Sequence, residues 1–306
     1  MMKNKEKKIK IGIVVEYNPF HNGHIHQLNF IKNKFPNSKI YVAMSHKFSQ
    51  RGEYICASWN KRKRIAKKYG VDSFVKLRSN ISTQAAHIFA NEAVKLLNKR
   101  KVDYLVFGSE TDDITVFLKI AYILKHKKDQ YDSLVKKFLK KGGNSFPKAS
   151  NLAVSELTNF SITTPNDILG IEYVKSIVNN NFNIKPICIK RTVGFHSDIT
   201  NQNFASATKL RQMIENGEDI SDFSPMKIKK IKKIDETYEK FQRFIRKSSP
   251  MKIKKYKLVE EGIENLFKKN IEHKSYSEFI DSCVSKRYTK NRIKRTYLSI
   301  LLKEKK

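Results

Sequence analysis

Cysteine is scarce: Cys56, Cys188 and Cys283 are the only three in 306 residues. They lie far apart, are odd in number and form no C-x-x-C pair. That argues against a disulfide scaffold and a thiolate metal site, and points to a reduced, cytoplasmic setting. Long apolar runs are also missing, and nothing approaches the roughly 18 uninterrupted residues that a membrane span requires. The basic start and the short run KIGIVV superficially resemble a secretory leader. Glu16 interrupts that run and no small-residue cleavage site follows, so it reads as a buried first strand. Acidic residues are few, 29 Asp plus Glu against 62 Lys plus Arg, which leaves a formal charge of +33. Such an excess attracts polyanions, nucleic acid first among them. The bland alternative is a solvated, lysine-rich surface, its excess of 50 Lys over 12 Arg partly a coding bias. With 40% hydrophobic residues the chain can still build a packed core.

Short apolar runs alternate with helical patterns over the first two-thirds of the chain. Strands are predicted at residues 10–16, 39–45, 73–78, 104–110 and 185–192. Between them, HIHQLNFIKNKF, WNKRKRIAKKYG and TQAAHIFANEAVKLLNKRK read as helices, the second closed by Gly70. This order predicts βαβ units in a doubly wound, Rossmann-like parallel sheet, with ligands at the carboxyl ends of the strands. From about Ser224 the texture changes: residues 225–306 hold 25 Lys plus Arg against 10 Asp plus Glu. The expected organisation is an α/β domain over 1–217 and a basic helical domain over 224–306. The heptapeptide SPMKIKK occurs at both 224–230 and 249–255, and Ser-Pro before such a run predicts a helix start at each copy.

The chemistry concentrates in VVEYNPFHNGHIHQ, residues 14–27, which holds three of the eight histidines. A strand that runs through Asn18-Pro19 into His21-Asn22-Gly23-His24 at a helix start can hold phosphates, because the free N–H groups there point outward. Gly23 permits close approach, and His21 and His24, three apart, share a face. Zinc chelation is the rival reading, but it needs a third ligand; His26 falls on another face and no cysteine is near. Structural histidines are the second rival. Far along the chain, SATKLR places Ser206, Thr208 and Arg211 at the opening of another helix.

H-x-G-H after a first strand, followed by Ser-x-Thr-x-x-Arg, resembles the paired signatures of the HIGH-motif nucleotidyltransferase superfamily. VVEYNPFHNGH, QRGE (50–53), FGSE (107–110), PNDILGIEYVKSI (165–177) and RYTKNRIKRTYLSILL (287–302) occur in this order. Together they resemble the bacterial tRNA(Met) cytidine acetate ligase family over nearly the whole chain. The resemblance implies an enzyme that activates acetate with ATP as acetyl-adenylate, with Mg²⁺ bridging phosphates. It would then acetylate N4 of the wobble cytidine of elongator tRNA(Met). It implies an ATP site beginning at Val14, Val15, Glu16, Tyr17, Asn18, Pro19 and Phe20. That site continues through His21, Asn22, Gly23, His24, Ile25, His26 and Gln27, and is completed by Gly108, Asn166, Arg191, Ser206 and Thr208. His21, His24, Thr208 and Arg211 would stabilise the charge that develops on the phosphates.

The basic tail would then hold the tRNA backbone through Lys286, Arg287, Lys290, Arg292, Lys294 and Arg295, with Tyr288 and Tyr297 interleaved for stacking. In one place the chain departs from the family. Where members usually carry Gly-Asn after the Met-Ser of the second strand, His46-Lys47 stands here. Two other readings fit parts of the pattern: an adenylyltransferase acting on a phosphorylated small molecule, and a catalytically silent RNA-binding protein.

Overall fold

The computed structural model describes residues 8–141, 144–191 and 203–306. The residues before Lys8 and Thr192, at the end of the fifth expected strand, lie outside them. All five expected strands are present: β1 (Lys10–Val15), β2 (Lys39–Ser45), β3 (Ser73–Leu77), β4 (Tyr104–Ser109) and β5 (Lys185–Lys190). They form one parallel sheet in the order β3-β2-β1-β4-β5. Strands buried on both faces read as near-continuous apolar runs, which is why IGIVV and IYVAM show no polar alternation. The chain winds one way from β1 to β3 and the other way from β4 to β5. The carboxyl ends of β1 and β4 therefore flank the crevice where such sheets take ligands.

Helices cover both faces. α1 (Asn22–Lys34) and α2 (Trp59–Lys68) pack on one side, followed in the chain by the short α3 (Ser79–Ser82). α4 (Ala86–Lys99) and α5 (Ile114–His126) lie on the other. α4 buries Phe89, Ala90, Ala93, Val94 and Leu97, the i, i+4, i+8 stripe of an amphipathic helix. α6 (Lys128–Lys140) and α7 (Phe146–Thr158) form a hairpin beside α5, and α8 (Pro165–Asn179) returns across the sheet. Gly170 lets α8 lie directly on β4: a Cβ there would come within 2.6 Å of the Phe107 ring. α9 (Ala207–Glu215) begins the descent to the carboxyl-terminal helices.

Those helices are α10 (Tyr238–Lys247), α11 (Pro250–Lys254), α12 (Ile263–Asn270), α13 (Tyr276–Ser282) and α14 (Lys290–Leu301). They enclose a core of their own around Phe241, Ile245, Phe267, Phe279 and Tyr297. Phe48, from the loop after β2, is buried in that core, so the helical region is keyed into the α/β region.

The repeated heptapeptide has two fates. Ser249 caps α11, accepting a hydrogen bond from Lys252 N at 3.3 Å, as expected of a Ser-Pro start. Residues 224–230 form no helix, contrary to expectation. There, Ser224 Oγ donates to the Phe20 carbonyl at 2.6 Å and Met226 is 3% exposed beside Phe20; Met251, its counterpart, is 80% exposed. Burial of one methionine outweighs a local preference that the two copies share.

Candidate functional site

β1 ends beneath a loop that delivers His21 to the amino terminus of α1. Tyr17 takes a left-handed φ of 51° and the bond before Pro19 is cis. His21 is the N-cap: its Nδ1 accepts from Gly23 N at 3.1 Å, while His24 Nδ1 accepts from His21 N at 3.1 Å. This is a capping box built from two imidazoles. With both Nδ1 atoms used as acceptors, the ring proton of each neutral histidine sits on Nε2 as a donor. Burial, reinforced by Arg191 and Arg211, pushes the pKa of His21 down to about 3. Burial, then His21 and Arg191, lowers that of His24 as well. Both rings are therefore neutral N–H donors at physiological pH.

The two signatures meet in space. Ser206 caps α9 by accepting from Lys209 N at 3.1 Å. Arg211, one turn on, donates through Nη2 to Thr208 Oγ1 at 3.2 Å and through Nη1 to the Asn18 carbonyl at 2.8 Å, across 193 positions of sequence. The segments on either side of α9 strap the histidine loop from outside. Asn22 donates through Nδ2 to the Asn203 and Asp222 carbonyls, both at 2.8 Å, and through its backbone to Phe223 O at 2.8 Å.

The carboxyl end of β4 forms the facing wall. Asp167 is buried and accepts from Ser109 Oγ at 2.7 Å, Glu110 N at 2.9 Å and Thr111 Oγ1 at 2.6 Å. Burial alone would raise its pKa, but these hydrogen bonds hold the carboxyl below the usual range. Asn166 donates to Glu110 Oε1 at 2.6 Å, and Arg191 Nε lies 3.4 Å from the same oxygen. A Cβ on Gly108 would meet only Arg191, its Cγ at 3.4 Å and nothing closer. Thr164 is the N-cap of α8, so Asn166 lies in its first turn.

Among the described residues, these walls enclose a cleft of about 830 Å³. Val14, Val15, Glu16, Tyr17, Asn18, His21, Gly23, His24, His26, Gln27, Gly108, Asn166, Arg191, Thr208 and Arg211 all line it. Pro19, Phe20, Asn22, Ile25 and Ser206 do not. Phe20 is fully buried and stacks on the His24 ring at 5.6 Å, so it supports the site from beneath. His26, exposed, meets Phe204 edge-on at 6.2 Å. No group of three or more His, Cys, Asp or Glu among the described residues could hold a metal ion.

Sequence reasoning missed Arg62, which is fully buried. Its guanidinium donates to the carbonyls of Ala57 at 3.0 Å, Glu16 at 2.7 Å and Ser45 at 2.8 Å, and also to that of His46. It ties the ends of β1 and β2 to the loop between β2 and α2. One arginine among 62 basic residues carries no local mark of burial. Asp167 was missed too, although PNDILG contains it.

The basic helical segment behaves differently from its sequence. Tyr288 and Tyr297 are buried in the carboxyl-terminal core, so neither can stack on a base. Arg287 and Arg292 lie 3.9 and 3.3 Å from Glu261, Lys290 lies 2.6 Å from Asp281, and Lys294 lies 2.5 Å from Glu53. Lys286 is exposed. Arg295 reaches the main cleft, where burial pushes its pKa down to about 10. His46 and Lys47 line a separate hollow, not the cleft.

Among the described residues, no helix is long and apolar enough to cross a membrane. A model of the HIGH Nucleotidyl Transferase family matches residues 9–306. The tRNA(Met) cytidine acetate ligase of Mycoplasmopsis synoviae is 57% identical over 98% of this chain and 99% of its own length. That of Mycoplasma mobile is 51% identical over 97% and 99%. Thermotoga maritima TmcAL bound with alpha-thio ATP superposes with a TM-score of 0.86 at 30% identity, over 97% of this chain and 76% of that one. Taken with the joined signatures at the β1–β4 crevice, these similarities place the chain in the HIGH nucleotidyltransferase family and, within it, among the tRNA(Met) cytidine acetate ligases.

Proposed function

We propose that the cleft binds ATP and acetate, joins them as acetyl-adenylate, and transfers the acetyl group to N4 of the wobble cytidine of elongator tRNA(Met). The observation that carries this reading is the convergence of His21, His24, Thr208 and Arg211 on one wall, with Arg191 and Asn166 opposite. Two neutral Nε2–H donors and fixed guanidinium groups suit a triphosphate whose negative charge grows during displacement. A carboxylate oxygen of acetate attacks the α-phosphorus and the bond to pyrophosphate breaks. The cytidine amine then attacks the acetyl carbonyl, AMP departs, and the amine loses its proton. Little covalent work falls to the protein, so positioning supplies most of the rate.

The described residues hold no carboxylate cluster, so Mg²⁺ would arrive on the phosphates, as it commonly does. A wobble base lies in a single-stranded loop and can enter the cleft without melting a duplex. Residues 224–306 would serve the tRNA backbone, with Arg295 nearest the reacting groups, and the work would be done in the cytoplasm. Because His46-Lys47 stands outside the cleft, this departure from the family pattern does not favour a silent binder.

The test supplies ATP, labelled acetate and total tRNA. Label in tRNA together with AMP release supports the reading. If tRNA binds while acetate never elicits AMP, the reading fails. Pyrophosphate release that needs a phosphorylated small molecule instead of acetate would point to an adenylyltransferase.

A further inference from the structure

A second hollow, of about 490 Å³, opens between the loop after β2, the first turn of α2, and β3. Its floor is aromatic, with Tyr54 and Trp59 both partly exposed. Lys47, Lys76 and Lys232 stand around it, all exposed, and its lining includes no carboxylate. The lysines already lean on the rings. Lys76 Nζ is 5.4 Å from the Trp59 ring centre, and Lys232 and Lys47 are 4.8 and 5.8 Å from that of Tyr54. His46 sits edge-on to Trp59 at 5.6 Å. Burial, then Lys76, Arg62 and Lys47, lowers the His46 pKa and leaves that ring neutral.

Three ammonium groups share this hollow with no carboxylate in its lining, and an anion bound among them would offset their mutual repulsion. Flat rings beneath such cations are what an unpaired base stacks on, and stacking is tolerant of sequence. The hollow also shares a wall with the main cleft. The Arg62 guanidinium bonds both the Glu16 carbonyl on the cleft side and the His46 carbonyl on this side.

We propose that this hollow is a second nucleotide subsite. It takes one unpaired nucleotide of a single-stranded RNA segment, with the base against Trp59 and Tyr54 and the phosphates on Lys47, Lys76 and Lys232. The subsite rests on the reading of RNA as substrate, and adds a place for a nucleotide other than the reacting one.

Trp59 is the chain's single tryptophan, so its emission reports on this hollow alone. The full-length protein is titrated, without ATP, with a short single-stranded RNA oligonucleotide and separately with inorganic phosphate. The expected result is saturable quenching by the oligonucleotide and none by phosphate at equal concentration. Lys76→Ala/Lys232→Ala should weaken that binding about tenfold, with the slope of log affinity against log salt lowered by about 0.7 per lysine. Trp59→Leu, read by anisotropy of labelled oligonucleotide, should bind at least about fivefold more weakly. Both variants should keep wild-type acetate-dependent pyrophosphate exchange. The subsite is refuted if the oligonucleotide binds without changing Trp59 emission and both variants bind like wild type. Quenching by phosphate alone also refutes it, leaving a simple anion pocket. Should the wild type itself show no acetate-dependent exchange, the ligase reading falls, while the fluorescence result still decides the subsite.

Discussion

The imidazoles of His21 and His24 lie 3.9 Å apart, centre to centre, and each accepts a backbone N–H of the same helical turn through Nδ1. The hydrogen bonds that cap α1 therefore also decide where each ring carries its proton. Helix stability and site chemistry are coupled through the same two side chains, and substitution can separate them.

His21→Asn keeps an acceptor for the first turn and removes the Nε2–H donor. Acetate-dependent pyrophosphate exchange should fall on the order of a hundredfold, as for loss of one preorganised donor. Unfolding free energy should stay within about 0.5 kcal/mol. His21→Ala should lose the activity and, in addition, about 1 kcal/mol in urea denaturation. Near-normal exchange in His21→Asn would refute a phosphate-facing role for this ring.

A pH series tests the neutral state of the pair. Their folded pKa values lie below the ordinary 6.5, that of His21 near 3, so between those limits the unfolded chain binds more protons than the folded one. The stability this contributes is complete above pH 6.5 and is lost as pH falls from there toward 3. The melting temperature should decline over that window, and a His21→Asn/His24→Gln variant should decline less. Equal declines would mean that the rings are already charged when folded.

Arg62→Met should destabilise the protein by at least about 3 kcal/mol, because it strips donors from four carbonyls at the ends of β1 and β2 and in the loop before α2. Arg62→Lys should recover only part of that loss, since one ammonium cannot reproduce the planar fork. Chemical denaturation measures both. Full recovery by Lys would show that charge alone, not the fork, matters there.

Gly52 has a φ of 82°, and a Cβ on it would sit 2.9 Å from the backbone carbonyl carbon of Lys294. Gly52→Ala should cost about 2 kcal/mol or more in thermal or urea unfolding, from the left-handed backbone and the clash together. It should also displace Gln50, whose N–H donates to Glu16 Oε1 at 2.6 Å, and so raise the KM for ATP. An Ala variant that melts like wild type would mean that α14 is not docked on this loop.

Lys294 and Lys286 should differ although both lie in the same basic run. Lys294, paired with Glu53, should act on stability, and Lys294→Ala should leave the salt dependence of tRNA binding nearly unchanged. Lys286→Ala should lower that slope by up to about 0.9 and leave the melting temperature alone. Filter binding at several salt concentrations separates the two.

Much of the fold was legible because its signals are local. β2 matches the predicted stretch residue for residue and the other strands nearly so, since a strand buried on both faces must be apolar throughout. The clustered histidines and SATKLR were legible for the same reason: each is a helix start, and a helix start is written in a few adjacent residues. SPMKIKK marks where that logic stops. Its second copy caps a helix, while the first is held out of a helix by Phe20 and by the burial of Met226.

The sequence by itself determined the strands, the two helix starts that carry His21 and Ser206, and the large positive charge, which depend on periodicity, capping and composition. Only the tertiary structure decided which charges are free to act. Ion pairing engages Lys294 with Glu53, backbone carbonyls engage Arg62, and the carboxyl-terminal core encloses Tyr288 and Tyr297. It also decided that His46 and Lys47 face a second hollow instead of the cleft. The physical reason is common to all of these: a side chain's partner is set by distance in space, and partners such as the Glu16 carbonyl, 46 positions from Arg62, or the Glu53 carboxylate, 241 positions from Lys294, leave no mark beside it in the chain.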